Sequence, residues 1–520
     1  MHLKFITNIR KKNILQEKIE KLFKAKEDID FDIWIKFLKD NAESTFATII
    51  DTKKSIYSAV DKASKIPIFF CLKSYQVSTN LNDLLKSENH QEIEESQAVL
   101  TFFSGYTLGK KTIYKNIQIL QPGQCLIVDK VNKKFKIENY FDVSKIKKLT
   151  LDNDILHNNF KDVLFDTFKK IKDLQRPIYV PLSAGKDSRL IVSMLRELNV
   201  KNVNIFSYGK NRNFEVQTAK NISEKLNFNW KYFPLNKKIQ KKSILSSDFK
   251  EFSKKYESAF SIPFRQDFAV IHQNRNFFHR DGLIINGNTG DFITGGHMPV
   301  LHEDENELNE NKLINYIISK HYTLWNFFSD QEYKKIFLLV KNEIKDINLS
   351  SDLNSFDIYQ IFEFYNRQAK FVINGQRIYD FFELEWDLPF WSDSFIKFWF
   401  GVPTKHKSKQ NFYIDFLNKE NFGGVWKDFK DCKQQNSFDI RFLQSILRFF
   451  NFLLHGGNEE KWLRTKRRLI EPLIDHYGHY FNYPYFKICF SQNYPRNAIA
   501  WHTHEYLKEK KILIRKIVND

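Results

Sequence analysis

Two stretches of this chain set acidic, hydroxyl and glycine residues at spacings that suit the handling of phosphate groups. The first is Leu182-Ser183-Ala184-Gly185-Lys186-Asp187-Ser188-Arg189. Small residues in a turn let backbone N–H groups approach phosphate oxygens, and the N-terminus of a following helix adds partial positive charge. Ser183 and Ser188 supply hydroxyl donors, Lys186 a full charge, and Asp187 a hard oxygen ligand for Mg²⁺. The spacing is not that of a Walker loop, because Gly185-Lys186 is followed by Asp187 instead of Ser or Thr. The plainer reading is a helix start capped by Asp187 or Ser188. The second stretch is Gly287-Asn288-Thr289-Gly290-Asp291-Phe292-Ile293-Thr294-Gly295-Gly296-His297. Alone it reads as a glycine-rich turn after a strand.

Such loops need elements to hold them. From Pro177 the pattern alternates between short apolar runs and amphipathic periods: strands at 178–182, 203–207 and 283–286, helices at 189–198 and 215–226. Strands alternating with helices imply a doubly wound parallel sheet, which binds ligands at the carboxyl ends of its strands. The first 140 residues read as strands with turns (45–51, 55–60, 66–72 and 124–129), with Pro-Gly at 122–123, which suits an antiparallel β-rich unit. A polar linker at 145–155 precedes a helix at 155–171, and beyond about 305 the chain reads as helical and rich in aromatic residues.

At 520 residues the chain exceeds one compact core. The net charge of +19 is spread along it and reads as a solvated basic surface with codon bias, an anionic substrate or membrane surface being the alternative. Cys71, Cys125, Cys432 and Cys489 form no C-x-x-C pair and lie near no His at metal-ligand spacing, so neither zinc nor a disulfide framework is indicated. Met1-His2-Leu3-Lys4-Phe5 has no signal-peptide apolar region, and no run is long enough to span a membrane. The default is a reduced, cytoplasmic protein.

The first loop resembles the S-G-G-x-D-S pyrophosphate loop of ATP pyrophosphatases, with Ala184 where that family usually has Gly. The second resembles the G-E-G-x-D-E-x-F-G-G-Y segment of asparagine synthetases. Phe206-Ser207-Tyr208-Gly209 followed by Glu215 and Ala219 is similar to that family's second strand and helix, and Glu383 to Asp393 to its E-x-R-x-P-F-L-D segment. Asp61 to Phe70 looks like the D-R-x-G-x-x-P-L-Y-Y hairpin of class II glutaminase domains, and the stretch from Phe103 to Gly123 like the segment ending that domain.

The resemblance implies an α/β protein with three parts. An Ntn-hydrolase-like β-rich sandwich would cover 1–145. A doubly wound parallel-sheet ATP pyrophosphatase (adenine nucleotide α hydrolase-like) domain would cover 155–430, and a helical C-terminal extension 431–520. By the same resemblance, Ser183, Ala184, Gly185, Lys186 and Ser188 bind ATP together with Ser207, Tyr208, Gly209 and Gly290. Asp187 and Asp291 hold Mg²⁺ and, with Lys409, carry the chemistry. The family's charge-neutralising Lys could fall on Lys405, Lys407 or Lys409, and Lys409 fits the spacing best.

The departures matter as much. His2 stands where a class II glutaminase has its nucleophilic Cys, so that half is expected to be silent. Asn288 and Phe292 replace two Glu residues, leaving the role of amine activation to Asp267, Glu303 or His297. Arg367 and Arg377 either meet a substrate carboxylate or pair with Glu363 and Asp380 at helical spacing, the pairing being favoured. The expected reaction is adenylation of a carboxylate with release of pyrophosphate, then attack by ammonia or an amine, with a partner as one source of that nitrogen. The Asp-Ser-Arg spelling resembles family members of bacterial surface-polysaccharide clusters and points to a nucleotide- or lipid-linked uronic acid. Asparagine synthesis and a degenerate, non-catalytic binding subunit are the alternatives. No nucleic-acid partner is expected, and the oligomeric state is left open.

Overall fold

The computed structural model describes residues 2–7, 14–25, 28–42, 45–86, 91–150, 152–210, 214–299, 308–326, 329–347, 353–428, 438–475 and 478–515. Near the N-terminus, β1 (His2–Ile6), β2 (Ala47–Asp51), β3 (Ser55–Val60), β7 (Gln124–Asp129) and β8 (Lys134–Asn139) form an antiparallel sheet in the order β1-β2-β3-β7-β8. A three-stranded sheet, ordered β5-β4-β6, is made by β4 (Phe69–Cys71), β5 (Val77–Ser78) and β6 (Ile117–Ile119). Period-two alternation gives the larger sheet two buried faces. Ile50, Tyr57, Ala59 and Cys125 face one cluster, while Ile49, Val60, Leu126 and Val128 join Ile68, Phe70 and Leu120 on the other side.

The first face is covered by the helices Ile14–Ala25 and Phe31–Asn41, which the sequence reading of strands and turns missed, as it missed Glu95–Ser104. Their signal is nonetheless present: Leu15, Ile19 and Phe23, and then Trp34 and Leu38, recur every four residues and are buried. Intervening lysines and acids hide that stripe. The strand expected at 66–72 is confined to β4, although Ile66 and Ile68 are buried ahead of it.

The second large sheet is parallel throughout. Its strands are β9 (Ile178–Pro181), β10 (Val203–Gly209), β11 (Asn229–Pro234), β12 (Leu283–Ile285) and β13 (Glu385–Asp387), in the order β11-β10-β9-β12-β13. Ile178 lies opposite both Val203 and Leu283, so β9 is central. Strand order reverses between β9 and β12, and that reversal opens a crevice at the carboxyl end of the sheet. Val180, Ile205 and Ile284 are fully buried with Leu190, Met194 and Phe160 from the helices Lys186–Glu197 and Asn153–Lys172.

Contacts run between the sheets. Lys65 donates to Asp387 Oδ1 at the end of β13 (3.0 Å), and Lys62 pairs with Asp393. Phe102, Phe103, Tyr106, Ile317, Trp325 and Tyr506 share one core, drawing on the early and the last parts of the chain alike. Among the described residues, no helix is long and apolar enough to cross a membrane.

Candidate active site

The turn after β9 is braced by its own side chains. Gly185 N donates to Ser183 Oγ (3.1 Å) and Ser183 N to Ser188 Oγ (3.2 Å). Arg189, buried below the turn, donates to Ala184 O (2.7 Å), and its guanidinium stacks over Trp426. Gly185 precedes the helix Lys186–Glu197 in an extended conformation, so the first N–H groups of that helix point toward the crevice. Ser207 Oγ donates to Leu182 O (2.7 Å), fastening β10 beside the turn.

The turn after β12 comes unusually close to this loop, and glycine makes that possible. A Cβ on Gly290 would lie 2.4 Å from Asp187 Cγ, and one on Gly287 would lie 2.8 Å from Ser188 N. Asp291 N donates to Asp187 Oδ2 at 2.8 Å, so the backbone of the second turn meets the carboxylate of the first across the crevice. Asp187 is recessed beneath Tyr413, whose hydroxyl lies 3.4 Å from Oδ1, whereas the Asp291 side chain is 55% exposed. Both line a cleft of about 530 Å³ together with Ser183, Gly185, Lys186, Ser188, Ser207 and Tyr208.

The electrostatics of the pair call for a cation. Burial, and after it the charge of Asp291, pushes the Asp187 carboxyl up to about 8. Asp291 is held below the ordinary carboxylate range despite its partial burial, because His297 Nε2 lies 2.9 Å from its Oδ2. His297 Nδ1 in turn lies 2.5 Å from Oε1 of the fully buried Glu363. Burial alone would lower His297, but the carboxylates of Glu363 and Asp291 raise it to about 9, so the ring is an imidazolium donating from both nitrogens. Two hard oxygen donors facing one cleft, one of them pushed toward its protonated form by burial and by the charge of the other, fit Mg²⁺.

A second polar cluster forms the opposite wall. Asp267 is buried, accepts from Tyr208 and Tyr379 (the latter 2.9 Å), and has its carboxyl raised by burial. Asn286 Nδ2 reaches Gln376 (3.1 Å) and the Tyr379 hydroxyl (3.3 Å), and Gln266 donates to Tyr208 (3.2 Å). Of the substitutes for amine activation, Asp267 faces the cleft, His297 is engaged by two carboxylates, and Glu303 lies outside the described residues. Phe292 is buried in the core of the parallel sheet, which accounts for an apolar residue there.

The lysines separate clearly. Lys407 is fully buried, donates to Gln360 Oε1 (2.7 Å) and Trp399 O (3.1 Å), and is pushed down to about 7 by burial. Lys405 and Lys409 are exposed. Lys409 does not line the cleft, but it sits at a kink (φ 52°) directly before Gln410, which does. Ala184, Gly209 and Gly290 shape the backbone around the cleft and are not part of its wall. Arg367 pairs with Glu363 (3.3 Å) and Arg377 with Asp380 (2.7 Å), the helical-spacing alternative. Glu363, Gln410, Tyr413 and Gln266 were not singled out as site residues in the sequence; each arrives from a helix or loop with no motif of its own. Cys432 lies outside the described residues.

The site thus consists of a 3-2-1-4-5 parallel sheet, a small-residue turn after its first strand and a facing carboxylate after its fourth. Residues 159–413 match the family model described as asparagine synthase. The matched segment takes in the parallel sheet and the turns bearing Asp187 and Asp291. Among solved structures, an NH3-dependent NAD synthetase from Campylobacter jejuni is 15% identical, covering 44% of this chain and 97% of its own, with a TM-score of 0.22. A structure described as a predicted subunit of tRNA methyltransferase from Methanocaldococcus jannaschii is also 15% identical, covering 28% of this chain, with a TM-score of 0.15. The chain spans 63% of the length of that second protein. No curated protein matches the chain.

Proposed function

We propose that the protein is an ATP-dependent amide-forming synthetase. The single observation that carries the reading is the 2.8 Å hydrogen bond from the Asp291 backbone N–H to Asp187 Oδ2, which brings the turns bearing the two carboxylates together at the crevice where the sheet reverses its order. Ser183, Gly185, Lys186 and Ser188 cradle the β- and γ-phosphates, with Ser207, Tyr208 and the Gly209 backbone beside the nucleoside. Asp187 and Asp291 would hold Mg²⁺, which when bound neutralises phosphate charge. A substrate carboxylate oxygen attacks the α-phosphorus, the bond to the β-phosphate oxygen breaks, and pyrophosphate leaves. Ammonia or an amine then attacks the acyl carbon; AMP departs, and the nitrogen sheds its proton as the amide forms. Positioning and charge neutralisation do most of the work, as in phosphoryl transfer generally. Asp267, buried at the cleft wall behind Tyr208 and carrying a raised carboxyl, is the proposed acceptor of that proton. Lys409, at the rim beside Gln410, adds positive charge toward the reacting phosphate.

The nitrogen is proposed to reach the site as ammonia or a free amine. Cys71 and Cys125 are buried, and burial pushes the Cys125 thiol up to about 12, so neither is a ready nucleophile for glutamine. The finer reading is amidation of a nucleotide- or lipid-linked uronic acid by a cytoplasmic enzyme that takes no nucleic acid. It draws on the Asp187-Ser188-Arg189 spelling, and aspartate is the competing acid. Mg²⁺-dependent pyrophosphate release with ammonia and a panel of acids, aspartate and nucleotide-linked uronic acids included, tests it. No release with any acid, together with no ATP–pyrophosphate exchange, would return the protein to the non-catalytic reading.

A further inference from the structure

The turn at 61–65, which follows β3, carries two lysines to the end of β13. Asp61 stiffens it. Its buried carboxyl accepts the N–H groups of Ala63 (2.8 Å) and Lys65 (3.2 Å), and its carbonyl accepts those of Ser64 and Gly123 (3.0 Å each). The Lys65 side chain, 7% exposed, donates to Asp387 Oδ1 at 3.0 Å, and Lys62 pairs with Asp393. These two carboxylates bracket the segment 387–393, so one braced turn holds both of its ends.

That segment touches the turn bearing Asp291 at two points. The Asp387 carbonyl, at the end of β13, accepts the N–H of Asn286 (3.2 Å), the residue directly ahead of Gly287. Further along, the Trp391 indole N–H donates to the Thr289 hydroxyl. Thr289 is buried with φ 75°, a left-handed conformation that a β-branched residue keeps only where its surroundings impose it. Trp391 is itself fixed, buried with its ring stacked on Phe364 at 4.8 Å. Small displacements matter here, because Gly290 lies so close to Asp187 that even a Cβ would meet its carboxyl carbon at 2.4 Å. Ion pairs that only fastened the two sheets could lie anywhere along their contact. These fall at the ends of the segment that holds Thr289 in its strained conformation.

We propose that Lys62 and Lys65 are positioning residues for the Asp291 turn. Through segment 387–393 and Trp391, the early sheet sets where Asp291 stands relative to Asp187. The inference rests on the reading of those two carboxylates as Mg²⁺ ligands, and it gives the early sheet a part in the site that needs no chemistry of its own.

The test titrates Mn²⁺ into the full chain, followed by electron paramagnetic resonance, with thermal unfolding of each preparation alongside. Lys65→Met keeps the buried stem and drops the ammonium, while Lys62→Glu and Asp393→Lys each set like charges face to face. Because Asp393 is 26% exposed, the last two strand no fully buried charge. All three are expected to weaken Mn²⁺ binding on the order of tenfold, as losing a group that orients a metal ligand does. The exchanged pair Lys62→Glu/Asp393→Lys should recover most of that affinity, since the contact is restored with its ends reversed. Ion pairs serving stability alone would lower the thermal midpoint and leave the Mn²⁺ affinity of the folded variants at the parent value, which overturns the proposal. An exchanged pair that binds no better than its two single variants overturns it as well. A parent chain that takes up no Mn²⁺, with or without ATP, removes the metal assignment itself and this inference with it.

Discussion

At the residue scale, the decisive feature is a carboxyl kept protonated by its own fold. Asp187 is recessed beside Asp291, and its value of about 8 means that the folded chain holds a proton which the unfolded chain has released. Between the ordinary carboxylate range and about pH 8, this group therefore costs stability as pH rises. Replacing Asp187 by Asn removes that cost while keeping an acceptor for Asp291 N. In chelator above pH 8, Asp187→Asn is expected to melt at a higher temperature than the parent, yet to lose Mg²⁺-dependent pyrophosphate release by on the order of a hundredfold or more. Thermal denaturation and a pyrophosphate assay on the same preparations check both halves; a variant that is less stable and still active would sink the metal assignment. The apparent affinity for Mg²⁺ should also rise with pH through about 8, since binding must expel that proton. Lys409 is a weaker position, exposed at the rim. Its replacement by Ala should lower kcat more than it raises KM, with the exposed Lys405→Ala as comparator. Equal, small effects at the two positions would place Lys409 among ordinary surface charges.

At the element scale, the Asp291 turn is held by a helix that changes its winding. The helix Ser355–Glu363 passes into a π-helical stretch, Phe364–Ile373. That wider turn lets both Arg367 (3.3 Å) and Gln368 (2.8 Å) reach back to Glu363 Oε1. Glu363 presents the same oxygen to His297, which holds Asp291. The raised His297 value sets the sign: its stabilisation is complete below the ordinary value of 6.5 and is lost as pH rises through about 9. His297→Ala should destabilise the protein by about 3 kcal/mol near neutral pH, by stripping a buried carboxylate of a partner. The gap from the parent should narrow toward pH 10, when the parent ring is neutral too. Denaturant unfolding at the two pH values measures it, and a gap that does not narrow would deny the imidazolium. Little of this was legible beforehand. The turns around Asp187 and Asp291 could be read because strand, small-residue turn and helix follow one another locally. Glu363, Gln410 and Tyr413 reach the site from helical sequence whose periodicity only says that it is buried. The helices Ile14–Ala25 and Phe31–Asn41 do carry apolar residues at helical spacing (Leu15, Ile19, Leu22 and Phe23, then Phe31, Trp34, Ile35 and Leu38), and the strand-like period-two runs that follow drew the reading away from them.

At the scale of the whole molecule, chain position and packing do not divide in the same way. Phe102 and Phe103, from the helix Glu95–Ser104, lie in one core with Trp325 and Tyr506, and Phe102 stacks on Trp325 with ring centroids 5.5 Å apart. Thr503 donates to Phe102 O (3.0 Å), and Trp325 Nε1 donates to Ala500 O (2.9 Å), so the last long helix is stapled to both. Lys65, almost fully buried, adds its bonds to Asp387 (3.0 Å) and Thr45 (2.9 Å) at the edge of the parallel sheet. If the N-terminal part is a silent scaffold, its contribution is this shared core. Removing it would bare the large aromatic faces of Trp325, Tyr322 and Tyr506 and leave Asp387 without its buried cation. Each fully buried aromatic or aliphatic side chain returned to water costs about 1.5–3 kcal/mol, and a handful exceeds the net stability of about 5–15 kcal/mol typical of a domain. A fragment beginning at residue 146, which retains the parallel sheet and both candidate metal ligands, is therefore expected to be insoluble or to lack cooperative unfolding. Co-expression with a separate 1–145 fragment should restore a soluble complex, because the contacts are packing contacts that need no covalent link. Size-exclusion chromatography and thermal unfolding of the two preparations decide the matter. A monodisperse, cooperatively melting 146–520 fragment with pyrophosphate-releasing activity would show that the early sheet and the ATP-binding half are independent after all.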